Sequence, residues 1–176
     1  MVKDRLIFDL RQQMTKQIFH VQSHLPDQVF RADFNNFLYG DSDWLTDRLG
    51  WEAIQQAYKS VQVADAIYLG EVGSDDLPAS SNSFHVIKLH TSASSKEYMA
   101  ALNEAPEGLS DTYAMMYGTS EIVCFPSSME WAIWCDRKLE VMVLANKVGI
   151  DRPAFYDSDL WFPIEHLILE WLPGHV

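Results

Sequence analysis

Between positions 7 and 25, Ile7, Leu10, Met14, Ile18, Val21 and Leu25 recur at steps of three and four, with charged and amide residues between them. That spacing places one apolar stripe along an amphipathic helix. Pro26 disfavours helical geometry in the residue before it, so the helix is expected to stop there. Phe30, Phe34, Phe37 and Leu38 form a second stripe at helical spacing, with Gly40 placed for a left-handed cap. From Asp41 the pattern restarts with Ser42 as an N-cap, then Trp44, Leu45 and Leu49, and after Gly50 with Trp51, Ile54, Tyr58 and Val61. This predicts one kinked helix or two short ones, and a helical character for residues 1–62.

Near Val63 the character of the chain changes, and FHVIKLHT alternates apolar and polar positions. AIYLGEV at 66–72 and FHVIKLHT at 84–91 read as strands, separated by the polar, turn-rich loop GSDDLPASSNS. Ser94 and Glu97 form a capping box, in which hydroxyl and carboxylate each satisfy the other's free backbone amide. A short helix carrying Met99, Leu102 and Ala105 should follow, ended by Pro106. Thr112 to Tyr117 and Ser120 to Phe125 flank Gly118-Thr119, a pair suited to a tight hairpin turn.

The densest apolar run is Ser120 to Ala145. It reads as three consecutive strands, Glu121–Phe125, Met129–Asp136 and Leu139–Ala145, broken at Pro126-Ser127-Ser128 and at Arg137-Lys138. On alternation, Trp131, Ile133 and Cys135 oppose Ala132 and Trp134, while Leu139, Val141 and Val143 oppose Glu140, Met142 and Leu144. Both faces are apolar, so these strands are expected to be central and covered on each side. Leu160, Ile164, Leu167, Ile168 and Trp171 predict a closing helix from about Phe162 to Leu172, with Pro163 in its first turn. The pattern is α+β: N-terminal helices, a mainly antiparallel central sheet of about five to six strands with an inserted helix, and a C-terminal helix. A single domain spanning 1–176 is expected, with 63–145 mainly sheet and 146–176 a loop and the terminal helix.

A chain of 176 residues can hide roughly 70% of its unfolded surface, enough for a core without staples. Charge adds a functional constraint: 25 acidic against 13 basic residues give a net charge of −12. Direct binding to nucleic-acid phosphates draws mainly on lysine and arginine, so it is not expected, whereas a basic protein partner would be steered in. No basic-then-apolar leader opens the chain, and no apolar run reaches the roughly 20 residues that span a bilayer. A cytoplasmic, reduced protein with no membrane partner is the corresponding expectation, with Cys124 and Cys135 as small buried hydrophobes.

Motifs with chemistry are sparse. His20 and His24 share a helix face but lack the glutamate of a zinc helix motif, and His85 and His90 fall on opposite faces of a strand. His166 on the closing helix reads as a surface histidine. Asp41, Asp43, Asp47 and Glu52 match calcium-loop spacing, but Leu45 and Thr46 occupy positions needing an oxygen ligand and a glycine. No GxSxG, no glycine-rich phosphate cradle and no activated cysteine stands out, so no metal and no cofactor are expected. The embedded charges Glu130, Asp136, Arg137 and Glu140, around Trp134, form the candidate partner-binding group, since Trp and Arg dominate interface energies. Tyr68, His85, Trp134 and Glu140 form the candidate pocket of an alternative reading, a small-molecule-binding domain or hydrolase. The leading expectation is a non-enzymatic acidic domain that holds a basic protein partner, its specific form a bacterial toxin-neutralising (immunity) protein.

Overall fold

The computed structural model describes residues 13–20, 25, 27–31, 33–59, 66–72, 86–105, 110–147 and 161–163. The strands are β1 (Phe34–Asp41), β2 (Ala66–Val72), β3 (Val86–His90), β4 (Glu121–Pro126), β5 (Trp131–Asp136), β6 (Val141–Lys147) and the two-residue β7 (Phe162–Pro163). They form one antiparallel sheet in the order β3-β2-β4-β5-β6-β1-β7. Helix α1 (Arg48–Lys59) follows a 3₁₀ turn at Ser42–Thr46, α2 (Ser95–Leu102) follows β3, and a single turn α3 (Met115–Gly118) precedes β4. Residues 13–18 are also helical.

The sheet is buried on both faces, as the central apolar run requires. Trp131, Ile133 and Cys135 pack with Leu45, Trp51, Ile54, Tyr98 and Leu102 on the side of α1 and α2. Ala132, Trp134 and Val143 pack on the other side under Ile18, Phe19, Val29 and Phe30. Each large aromatic hides 150–250 Å² of surface, a gross hydrophobic gain of about 4–6 kcal/mol, so Trp51, Trp131 and Trp134 anchor the layers. On the helical side the anchoring is also polar. The Trp51 indole donates to the Ala93 carbonyl at 2.7 Å, Gln55 donates to Thr91 and Ala93, and Tyr98 donates to the Leu45 carbonyl while stacking on Trp51. These bonds lock α1, α2 and the 3₁₀ turn to one another.

The capping box forms: the Glu97 amide donates to the Ser94 hydroxyl, and the Ser94 amide donates to the Glu97 carboxylate. β2 spans the expected 66–72, and the β5–β6 hairpin has the expected faces. Four expectations are corrected. Residues 34–41 are a strand and not a helix, paired with β6 and β7, and a bulge between Phe34 and Asn36 inserts one residue. Phe34 and Phe37 therefore share a face at a spacing of three, which on sequence imitates a helix. The first helix also does not reach Leu25, since Phe19 bridges to Phe30.

Thr112–Tyr117 is not a strand. β4 already has β2 on one side and β5 on the other, so no edge remains for it, and the segment turns as 3₁₀ and α3. Phe162 and Pro163 pair with Tyr39 and Leu38 of β1 and do not begin a helix. The rest of the expected closing helix, the 73–83 loop, His24, His85 and His166 lie outside the described residues. Among the described residues, no helix is long and apolar enough to cross a membrane.

Candidate functional site

One end of the sheet carries a polar cleft of about 560 Å³, lined by Asp41, Asp43, Tyr117, Thr119, Ser120, Arg137, Lys138 and Glu140. Three chain segments meet there: the end of β1 with its 3₁₀ turn, the stretch from α3 into β4, and the β5–β6 turn. Each is fixed by local chemistry. Asp41 caps the 3₁₀ turn, its Oδ1 accepting from the Asp43 amide at 2.9 Å. Asp136 shapes the hairpin turn in the same manner, its Oδ1 accepting from the Lys138 amide at 2.9 Å and the Leu139 amide at 3.1 Å. This is an Asx turn, the reason an aspartate suits that position.

Arg137 joins two of the segments. Its Nη1 donates to the Met116 carbonyl at 2.8 Å and the Thr119 carbonyl at 3.4 Å, and its amide donates to the Ser120 carbonyl at 2.8 Å. The guanidinium thus satisfies carbonyls at the end of α3 that have no strand partner, and it seats Tyr117, Thr119 and Ser120 in the cleft wall. The third segment is tied in by the Ser42 amide, which donates to the Glu140 carbonyl at 3.5 Å.

Three features of the cleft are unusual for a plain surface. Tyr117 is 69% exposed, the most exposed large hydrophobic side chain among the described residues. Glu140 has φ 57°, a left-handed conformation that costs a non-glycine residue on the order of 1 kcal/mol and is enriched at functional sites. Thr119 is only 3% exposed, and its hydroxyl has no hydrogen-bond partner.

Of the expected partner-binding group, the structure brings Arg137 and Glu140 into this cleft, with Asp136 buried behind them as the turn former. Glu130 lies at the opposite end of β5, where its carbonyl accepts from the Lys147 amide. Trp134 is 0% exposed, packed edge-on against Phe19 at 5.6 Å, and belongs to the core rather than to an open face. Of the alternative pocket, His85 lies outside the described residues. Tyr68 is buried and stacked on Phe125, Trp134 is core, and Glu140 sits at the exposed hairpin tip.

Asp41, Asp43, Lys138, Tyr117, Thr119 and Ser120 complete the cleft and were not grouped from sequence. Asp41 and Asp43 stood out only as a failed calcium loop, and among the described residues no group of three or more His, Cys, Asp or Glu could hold a metal ion. Cys135, two residues before Arg137, is fully buried. Burial pushes its thiol far up, outweighing the guanidinium, and burial does the same to Cys124. Compared with protein families, curated proteins and solved structures, the chain finds no match.

Proposed function

We propose that this protein is an acidic binding domain that holds a basic protein partner at the polar end of its sheet, with neutralisation of a basic toxin as the specific form. The observation that carries this reading is that Asp41, Asp43 and Glu140 line one cleft with the exposed Tyr117, three carboxylates against the cations Arg137 and Lys138, in a chain of net charge −12. An aromatic ring beside carboxylates is the composition that captures cationic side chains. The cleft volume is within the range of small-molecule sites, about 300–1,000 Å³, but such sites are lined mainly by apolar groups. Here most lining residues are charged or hydroxylic, which favours a protein surface.

The test compares two sets of matched neutralisations, with a labelled lysine-arginine decapeptide as probe. Asp41→Asn with Asp43→Asn and Glu140→Gln removes the three carboxylate charges of the cleft and leaves Arg137 and Lys138, while Asp27→Asn with Glu52→Gln and Glu104→Gln removes the same charge from exposed positions elsewhere. The cleft set should weaken binding about tenfold or more, equivalent to about 1.4 kcal/mol, and the distant set by less than about twofold. Equal losses would reduce the binding to diffuse electrostatics, and no binding by the parent protein would end the proposal.

A further inference from the structure

We draw no further inference here: the strongest candidate, the outer edge of the sheet at β3, where Lys88 and His90 are exposed, carries nothing because nothing in the structure shows what covers it.

Discussion

Gly50 is the position where a single methyl group tests the packing that holds the cleft. A Cβ added there would lie 1.7 Å from the Trp44 carbonyl oxygen, 2.5 Å from the Trp44 carbonyl carbon and 3.2 Å from the Leu45 Cα. A carbon and a carbonyl oxygen approach no closer than about 3.3 Å even in a weak C–H···O contact, so helix and turn must separate by roughly 1.5 Å. The obstacle is backbone, and it is held: the Trp44 carbonyl accepts from the Asp47 amide at 3.1 Å, and the Leu45 carbonyl accepts from Tyr98. In Gly50→Ala, the lower conformational entropy of alanine in the unfolded chain contributes about 1 kcal/mol in favour of folding. Overpacking against a rigid neighbour costs about 1–3 kcal/mol or more. The clash here is severe, so the cost wins, by about 2 kcal/mol. For a chain of this size that lowers the melting temperature by about 4–8 °C.

Differential scanning calorimetry reads the shift, with Gly70→Ala as the internal control. At Gly70 the nearest contact is the Val123 Cγ2 methyl at 3.3 Å, a side chain that can yield, and the expected loss is under about 1 kcal/mol. Because Asp41 and Asp43 ride on the same turn, Gly50→Ala should also weaken the basic decapeptide. A Gly50→Ala variant that melts at or above the parent temperature would refute the close approach of turn and helix.

Trp134→Ala should cost about 3–5 kcal/mol in urea unfolding, because Trp134 is a fully buried core residue, and a loss under about 1 kcal/mol would return it to the surface. Ser94→Ala removes an N-cap and should cost about 1 kcal/mol near neutral pH. Bonds from Ser94, the backbone amide first, hold the Glu97 carboxyl below its ordinary value of 4.5. A depressed carboxyl stabilises the fold at higher pH and loses that contribution as pH falls through its folded value, so the gap between parent and Ser94→Ala melting temperatures should narrow on acidification below 4.5. Both cysteines should resist a thiol-disulfide exchange reagent in the native protein and react together on unfolding, since burial raises both thiols and keeps them from solvent. Fast labelling of either in the native state would contradict that burial.

The strands with unbroken apolar runs were legible, and so was the helix with a local capping signal. β2, β5 and β6 are short apolar runs without a bulge, and Ser94 and Glu97 mark α2 by chemistry confined to four residues. β1 was not legible, because its bulge shifts the phase of the phenylalanines and the evidence for pairing lies in β6, far along the chain. Tyr117 was misassigned for a related reason: alternating Tyr113, Met115 and Tyr117 suit a strand, and only the sheet order excludes it. At the cleft, Arg137 and Glu140 were visible as charges in an apolar hairpin. Asp41 and Asp43 reach them only through the pairing of β1 with β6, and Trp134 was placed on an open face because the aromatic layer of Phe19 and Phe30 arrives from a distant segment.

Location is what the binding proposal stands on, and amide shift mapping of the full chain with the lysine-arginine decapeptide measures it directly. Saturable shifts should concentrate at residues 41–43, 117–120 and 137–140, with exposed Asp27, Glu52 and Glu104 little changed. Shifts spread evenly over those acidic positions, or centred away from the β5–β6 turn, would contradict it.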